Sequence, residues 1–367
     1  MSFLRLLLCT LCCFWITALH ALPDDPHELF KIMMGQTGVW DWMGWSQEQL
    51  WSHPFVQQNV EKPFDHYTKA IQCLKKRSVH SIPKSIHFIW IGPKPFPEQS
   101  ISNLISWKKH HPNWNFYFWT DDPDRPIPVE GMQRQLVSDF DFGQFQPLIE
   151  EMTNWGGKSD LMRYMILYKM GGIYTDHDVR CIQPFDPLIT HYDFAVGYEP
   201  LHNYSLSLST PFVPNNGIII SCPHHLILEK TIEQVCARWN EIGARFPGGD
   251  IQSEHQKFYW RTFDTFAYCA YHLIDDGNYQ NILLPACYLQ SGWFFDKQTF
   301  HELTEQGHVY AIHLFNASWA TVKRTTSKSQ QILQRKRHIL GSRPFQKPSA
   351  FLTTSTLRCK KNRALNR

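Results

Sequence analysis

The 367-residue sequence lacks the short motifs that mark several common enzyme classes. It has no G-x-G-x-x-G and no Walker-type loop, the glycine-rich loops that cradle phosphates in dinucleotide oxidoreductases and P-loop kinases. It also has no G-x-S-x-G, so its many Ser, His and Asp residues do not indicate a serine hydrolase. These absences argue against three large classes of enzyme.

Paired cysteines of the C-x-x-C type are absent beyond residue 21, where seven of the ten cysteines lie at irregular spacing. This argues against a structural zinc site and favours scattered buried thiols. Disulfides stay open as an alternative in an oxidising compartment.

Long apolar runs are also scarce, and the one candidate extends from residue 6 to residue 19 behind Arg5. It is shorter than the roughly 20 residues that a membrane-spanning helix needs. Small residues at Ala18 and Ala21 precede an acidic segment, as in export signals. We therefore predict a cleaved signal over residues 1–21, with a short retained anchor as the alternative.

Acidic residues are missing from residues 323–367, which hold 13 Lys or Arg. A basic segment rich in Ser, Thr and Pro predicts a solvated, poorly ordered tail. Contact with a membrane through this tail or the N-terminal segment is the minor alternative, and no nucleic-acid partner is expected.

Apolar segments of strand length alternate with helical patterns through the middle of the chain. Strand-like segments are 85–91, 115–119, 173–175, 194–197, 217–220 and 309–313, and helix-like segments are 98–110, 158–170 and 223–240. Such alternation predicts an α/β fold with a mostly parallel, Rossmann-like sheet flanked by helices. We assign residues 22–81 to a helical lead-in and residues 82–322 to the α/β domain.

The helical segment 158–170 leads directly into a short strand and then into Asp176-His177-Asp178. Ser159 is predicted to cap this helix, and Gly171-Gly172 to end it. Ligands of open α/β sheets bind at the carboxyl ends of strands, where this triplet lies. On an extended segment residues i and i+2 share a face, so Asp176 and Asp178 would point the same way while His177 turns aside.

Two neighbouring carboxylates suit Mg²⁺ or Mn²⁺, which neutralise the hard phosphate oxygens of a nucleotide diphosphate. An isolated Asp-x-Asp occurs often by chance, and a solvated turn is the simpler explanation for one without context. The surrounding segments supply that context.

Residues 86–92 (IHFIWIG), 159–164 (SDLMRY) and 171–178 (GGIYTDHD) together resemble the DXD-motif sugar-binding glycosyltransferases. That family includes yeast-type initiating mannosyltransferases and, more distantly, the glucosylating domains of clostridial toxins. The resemblance extends over residues 82–320 in scattered blocks. It implies a GT-A fold, Mn²⁺ or Mg²⁺ as cofactor, and retention of anomeric configuration.

The resemblance also implies roles for individual residues. Asp178 would bind the metal directly and Asp176 would bridge the metal and the ribose. Trp90 would stack on the nucleotide base, with a core aromatic as the equal alternative. Asp160 and Arg163 would contact the ribose, sugar or diphosphate, with a surface ion pair as the alternative.

Other implied contacts are less specific. Tyr174 would flank the ribose or sugar, unless it is a core tyrosine. Asn216 would bind sugar hydroxyls, unless it belongs to a simple turn. Ser318 and Trp319 would contact the diphosphate. His313 is a candidate third metal ligand, although a lone histidine near an apolar strand is more often a hydrogen-bonded core residue.

The resemblance departs from the family pattern at His177, where an apolar or small residue is more usual, and over residues 245–280. We expect acceptor binding in that second segment. The expected catalytic residues are Asp176, Asp178 and Arg163.

The function expected from these residues is metal-dependent, retaining transfer of a hexose from a UDP- or GDP-hexose to a glycan or protein acceptor. The alternatives are an inactive sugar- or nucleotide-binding protein of the same fold and a metal-dependent phosphoester hydrolase. With an export signal, the enzyme would act in the secretory pathway or Golgi lumen, or as a secreted bacterial effector inside a host. Asn203 and Asn316 begin formal N-glycosylation sequences.

Overall fold

The computed structural model describes residues 22–35, 47–72, 81–201, 208–291 and 295–316. Strands are β1 Ser85–Ile89, β2 Asn115–Thr120, β3 Gln133–Leu136, β4 Gly172–Thr175, β5 Val179–Cys181, β6 Phe194–Tyr198, β7 Pro214–Ser221, β8 Asn281–Leu284 and β9 Ala311–His313. Seven of them form one sheet in the order β3-β2-β1-β4-β7-β6-β8.

Adjacent strands of this sheet are parallel except at β7, which runs antiparallel to both β4 and β6. The predicted α/β class with a mostly parallel sheet is therefore confirmed. Because β7 alone is reversed, its first residues lie at the edge where the other strands end. That edge carries the candidate site.

Helices cover the sheet and form the N-terminal segment. They are α1 Pro26–Met33, α2 Gln47–Ser52, α3 Pro54–Gln57, α4 Glu61–Gln72, α5 Glu98–His110, α6 Gln146–Glu151, α7 Trp155–Met170, α8 Asp186–His191, α9 Leu226–Arg245, α10 Ile251–Tyr259, α11 Thr265–Leu273, α12 Ala286–Leu289 and α13 Lys297–Glu305. A π-helical turn, Trp260–Asp264, joins α10 to α11. None of the helices in the described ranges has both the length and the apolar composition needed to cross a bilayer.

Helix α7 begins earlier than the sequence predicts. Asn154 is its N-cap, with the side-chain oxygen accepting the Gly157 N–H, so the predicted cap at Ser159 is wrong. Ser159 is buried inside the helix and hydrogen-bonds to Arg163 instead. Almost every residue from Gly157 to Leu167 is buried, so the helix crosses the core on its way to β4.

Gly171 and Gly172 make the connection from α7 to β4 possible. Both have positive φ, 65° and 99°, a region that side chains other than glycine rarely adopt. A Cβ atom on Gly172 would also collide with Ser85 of β1. The predicted glycine stop is confirmed, and it allows β4 to lie close beside β1.

Strands β5 and β9 form a separate two-stranded antiparallel sheet. Val179 pairs with His313, so the residues just before β5 lie beside the end of β9. The predicted strand at 309–313 exists as β9, but it does not join the main sheet. This small sheet brings two distant parts of the sequence to one place.

The N-terminal segment is helical where the structure describes it, as predicted. Helix α4 packs on β8, and His66 joins them by accepting the Leu283 N–H at Nε2, 3.1 Å away. Five cysteines in the described ranges are free thiols, four of them buried, as expected. The predicted signal at 1–21 and the basic tail at 323–367 lie outside the described residues, and the boundaries at 82 and 322 stay predictions.

Candidate metal and sugar-nucleotide site

Three side chains that can hold a metal ion converge at the carboxyl edge of the sheet. Asp176 follows β4 directly, Asp178 lies in the turn before β5, and His313 ends β9. One ligand atom from each lies within 4.8 Å of the other two. The two aspartates meet because the chain turns at His177 and Asp178, so the predicted extended segment is wrong.

The two aspartates face the same nitrogen of His313. Its Nε2 lies 3.5 Å from Asp178 Oδ1 and 3.9 Å from Asp176 Oδ2. Burial lowers the pKa of His313, but Asp178 and then Asp176 outweigh this effect, so its pKa is raised overall. The two carboxylates therefore favour a positive charge at or beside Nε2 of His313.

Asp178 is held ionised by its surroundings. Burial raises the pKa of its carboxyl, but His313, His177 and the Asn316 N–H bring it well below the ordinary value. The Asn316 N–H donates to Asp178 Oδ2 at 2.6 Å, and the Leu314 N–H donates to the Asp178 carbonyl at 2.9 Å. Residues 314–316 therefore wrap around this aspartate.

Arg163 is the buried cation of the site. Its Nη2 lies 3.0 Å from Asp160 Oδ1 and 3.3 Å from Asp176 Oδ1, and its Nη1 donates to the Asn216 carbonyl at 2.8 Å. Burial lowers the pKa of Arg163, but Tyr174, Asp176 and Asp160 raise it overall. Asp160 and Arg163 do form an ion pair, but it is buried, so the alternative of an ion pair at the surface is wrong.

Asp160 has a second partner, which comes from a distant part of the sequence. Thr262, in the π-helical turn, donates from Oγ1 to Asp160 Oδ2 at 2.6 Å. Burial raises the pKa of Asp160 despite Arg163 and Thr262. This contact links the α10–α11 segment to the Arg163 cluster.

Tyr174 belongs to the same cluster, since its hydroxyl donates to Asp176 Oδ1 at 2.6 Å and the Arg163 guanidinium lies over its ring at 4.1 Å. Trp90 follows β1 and its Nε1 donates to the Lys94 carbonyl. The ring of Trp90 meets His177 edge-on, with centroids 4.9 Å apart. His177 turns away from the cluster of Asp176, Asp178 and His313 (the metal cluster), as predicted, and hydrogen-bonds through Nδ1 to Ser100.

The first residues of β7 complete the site. The Asp176 N–H donates to the Gly217 carbonyl at 2.9 Å, and Asn216 donates from Nδ2 to the Tyr164 hydroxyl at 2.8 Å. A Cβ on Gly217 would lie 2.9 Å from His313 Cε1 and 3.0 Å from Asp176 Oδ2. Glycine at this position is what allows β7 to approach the metal cluster so closely.

Most of these groups line one cavity of about 460 Å³. Ligand pockets commonly span roughly 300–1,000 Å³. Eight of the predicted site residues lie in the described part of the chain, and the cavity brings all eight together: Trp90, Asp160, Arg163, Tyr174, Asp176, Asp178, Asn216 and His313. Ser318 and Trp319 lie outside the described residues.

Sequence reasoning missed other residues of the cavity wall. Glu199 follows β6 at the same edge, and His255, Tyr259 and Phe263 line the opposite wall from α10 and the π-helical turn. These three aromatic side chains are four residues apart, a helical spacing that the sequence does contain. The segment 245–280, expected to bind the acceptor, thus contributes to the cavity, although its role stays a prediction.

Fold and site together define an α/β protein with a carboxylate–histidine cluster at the carboxyl edge of its sheet. Residues 97–195 match the family described as the glycosyltransferase sugar-binding region containing DXD motif. The resemblance stated from the sequence is thereby confirmed over these residues.

Two curated relatives are similar to parts of this chain. Inositol phosphoceramide mannosyltransferase 1 of Schizosaccharomyces pombe is 27% identical over 172 residues, which are 46% of this chain and 47% of the relative. Subversion of eukaryotic traffic protein A of Legionella pneumophila is 30% identical over 117 residues, which are 28% of this chain and 18% of the relative. The chain spans about half or less of the length of these relatives.

Among solved structures, the PaToxG glycosyltransferase aligns with this chain at 16% sequence identity and a TM-score of 0.40. The alignment covers 77% of this chain and 98% of the PaToxG chain.

Proposed function

We propose that this chain is a metal-dependent retaining glycosyltransferase that moves a hexose from a UDP- or GDP-hexose to a glycan or protein acceptor. The observation that carries the proposal is the convergence of Asp176, Asp178 and His313 within 4.8 Å, at the carboxyl edge of the sheet. Arg163 lies against the same Asp176 carboxylate at 3.3 Å. A metal ion held by these three side chains would, together with Arg163, neutralise the negative charge of a nucleotide diphosphate.

The side chains present fit Mn²⁺ or Mg²⁺. Carboxylate oxygens suit either ion, and an imidazole nitrogen is a better ligand for a transition metal, so the set favours Mn²⁺. Asp176, Asp178 and His313 would hold the ion. When bound, such an ion neutralises the diphosphate and stabilises it as a leaving group.

The protein's own residues would bind and orient the donor. Arg163 is kept charged in a buried position and would stabilise negative charge that develops on the departing diphosphate. Asp160 and Asn216 would bind sugar hydroxyls, and Trp90 and Tyr174 would flank the base and ribose. Ser318 and Trp319 are proposed to contact the diphosphate from the segment that follows Asn316.

Retention is proposed from the family resemblance. The bond between the anomeric carbon and the phosphate oxygen breaks, and the acceptor oxygen bonds to the same face of the sugar. The proton of the acceptor hydroxyl passes to the departing phosphate oxygen, so no protein nucleophile is needed.

The acceptor is proposed to bind along His255, Tyr259 and Phe263. Their rings form a ladder: His255 and Tyr259 are stacked with centroids 6.4 Å apart, and Tyr259 and Phe263 are tilted with centroids 4.9 Å apart. His255 is exposed, Tyr259 is half-buried and Phe263 is buried, so the ladder leads from solvent into the cavity. Aromatic faces of this kind suit the apolar face of a sugar or polyol ring.

The test is turnover of a panel of UDP- and GDP-hexoses with Mn²⁺, with Mg²⁺ and with a chelator. We expect metal-dependent release of nucleotide from one donor, lost in Asp178→Asn and kept in Asp186→Asn, a surface carboxylate paired with Lys84. An inactive binding protein would give no turnover with any donor. A phosphoester hydrolase would prefer simple phosphate esters, and either result would refute the proposal.

The acceptor assignment has a separate test. Tyr259→Ala should keep metal-dependent hydrolysis of the donor and lose transfer to an acceptor mixture of glycans and proteins. Equal loss of both reactions would contradict an acceptor role.

Export through the N-terminal segment stays a proposal, and two destinations fit it: the secretory pathway of a eukaryote, or a host cell that receives a bacterial protein. A glycan on Asn316 would lie beside Asp178, because the Asn316 N–H bonds to that carboxylate. This steric conflict favours the bacterial case. Mass spectrometry of Asn316 in protein made by a eukaryotic secretory host would test it.

A further inference from the structure

A chain of buried amide groups leads from β7 to His313. It begins at Gly217, whose backbone N–H donates to Asn215 Oδ1 at 2.6 Å. A backbone N–H can only donate, so this contact fixes which end of the Asn215 amide is the oxygen. The other end, Nδ2, then donates to Glu199 Oε1 at 2.9 Å.

The same logic continues to Gln290. Its Nε2 lies 3.0 Å from Asn215 Oδ1, and an oxygen that can only accept must face an NH₂ group. The oxygen of Gln290 is therefore its other end, which lies 2.8 Å from His313 Nδ1. Because that oxygen can only accept, Nδ1 of His313 must carry the hydrogen.

Burial prevents the chain from reversing. Gln290 is fully buried, and Asn215 and His313 are 4% and 6% exposed. Turning the Gln290 amide over would set two acceptors against each other at Asn215 and leave His313 Nδ1–H facing a donor. The Gly217 N–H on β7 thus determines, through Asn215 and Gln290, that Nδ1 of His313 carries a hydrogen.

His313 also differs from the other buried histidines of the described chain. Both ring nitrogens hydrogen-bond to neutral protein groups in His87, His111 and His225. In His66 one ring nitrogen bonds to a carboxylate and the other to a main-chain N–H. His313 uses Nδ1 in this way, but its Nε2 faces Asp176 and Asp178. A cation between three such groups satisfies all of them.

We infer that Gln290 is a positioning residue that holds His313 in the Nδ1–H tautomer, so that Nε2 serves as a metal ligand beside Asp176 and Asp178. The inference rests on the proposed function, since it requires a metal at this cluster. Groups that hydrogen-bond to a metal-binding histidine fix its ring orientation and the nitrogen it offers.

The test reads the metal directly. Mn²⁺ is titrated into the full chain with UDP, and electron paramagnetic resonance gives both the dissociation constant and, by spin-echo modulation, coupling to a histidine nitrogen. We expect nitrogen coupling in the wild type and its loss in His313→Ala. Gln290→Met, similar in shape but without hydrogen-bonding groups, should weaken Mn²⁺ binding by about 10- to 100-fold and reduce the nitrogen coupling.

Gln183→Met is the matched control. Gln183 donates from Nε2 to the carbonyls of Gly307 and Val309, just before β9, and does not touch His313. This variant loses two half-buried amide hydrogen bonds to the segment before β9, so we expect lower thermal stability with unchanged Mn²⁺ affinity and nitrogen coupling. Comparable weakening of Mn²⁺ binding in both variants would reduce Gln290 to a structural role and overturn the inference.

Two further outcomes separate this inference from the proposed function. Mn²⁺ binding without nitrogen coupling in the wild type, or with coupling unchanged in Gln290→Met, would overturn the role of Gln290 and leave the metal-dependent enzyme standing. Failure of the wild type to take up Mn²⁺ with UDP would overturn both.

Discussion

Arg163 holds several groups of the cavity floor in fixed positions at once. It pairs with Asp160 and Asp176, donates to the Asn216 carbonyl, and lies over the Tyr174 ring. A buried charge is tolerated only when partners surround it in this way. Donor binding would therefore meet a set of charges whose geometry is already fixed.

Gly217→Ala should damage the metal cluster more than the fold. The new methyl group would lie 2.9 to 3.0 Å from Asn215 Oδ1, His313 Cε1 and Asp176 Oδ2, so two of the three proposed ligands must move. We expect Mn²⁺ affinity to fall by about tenfold or more, measured by titration with UDP present.

The control for this change is Gly277→Ala, where an added Cβ meets nothing within 4 Å. It should bind Mn²⁺ like the wild type. If Gly217→Ala also retained wild-type affinity, the cluster would be more adaptable than its close packing implies, or would not be the metal site.

Single residues were predictable where a motif contains them. Asp160, Arg163, Tyr174 and Asp176 stand in two recognisable blocks, and the structure brings them together. Gln290 stands in no motif, and it reaches His313 only because α12 ends beside β9. Isolated polar residues become part of a site through tertiary contacts, which sequence spacing does not encode.

At the scale of elements, the π-helical turn between α10 and α11 stands out. Such turns are rare, and they occur often at functional sites. Here the turn carries Thr262, which bonds to Asp160, and Phe263, which lines the cavity. One short segment thus touches both the proposed donor site and the proposed acceptor wall.

The attachment of helix α4 to β8 should depend on His66. His66→Leu would leave the Leu283 N–H buried without its acceptor, which costs about 1–3 kcal/mol in the free energy of unfolding. Urea unfolding measures this loss. The exposed pair of His301 with Glu305 supplies the control, because His301→Leu should change stability by no more than about 0.5 kcal/mol.

The other ring nitrogen of His66 makes a contact that depends on pH, because its Nδ1 lies 2.7 Å from Asp275 Oδ1. The hydrogen bond from His66 lowers the pKa of Asp275. A carboxyl with a lowered pKa stabilises the fold above its ordinary pKa and loses that contribution as the pH falls through the lowered value. The stability difference between wild type and His66→Leu should therefore shrink below about pH 4. A difference that stays constant to pH 2 would contradict this assignment.

Elements were predictable to different degrees. Helix α5 has the predicted bounds, 98–110, because its helical pattern is clear and Gly-Pro and Pro residues flank it. The start of α7 differs from the prediction, because Gly156 and Gly157 weaken the helical pattern of its first turn and Asn154, not Ser159, is the cap. The reversed direction of β7 could not be predicted, because residue patterns within a strand do not encode which neighbour it pairs with.

At the scale of the whole molecule, the site is assembled from segments far apart in sequence. Residues from the end of β1, α7, β4, β7 and β9 line one cavity. A ligand that bridges these elements should stabilise the entire fold, since it binds the folded chain and not the unfolded one.

Mn²⁺ with UDP should therefore raise the melting temperature. At about 100 times the dissociation constant the stabilisation is about 2.7 kcal/mol, or a shift of several degrees for a chain of this size. Differential scanning calorimetry should show the shift with both ligands, its reversal by a chelator, and its loss in Asp178→Asn. A shift that persisted in Asp178→Asn would place the metal elsewhere.

His177 has one more consequence. Its imidazole lies between Ser100 of α5 and the ring of Trp90, while the residues on either side of it, Asp176 and Asp178, are two of the three proposed metal ligands. The ring proposed to meet the base and the carboxylates proposed to meet the phosphates are thus spaced by a single side chain, before any ligand arrives. The His177 side chain would therefore set the distance between the base site and the phosphate site, and a smaller residue at position 177 would loosen recognition of the base.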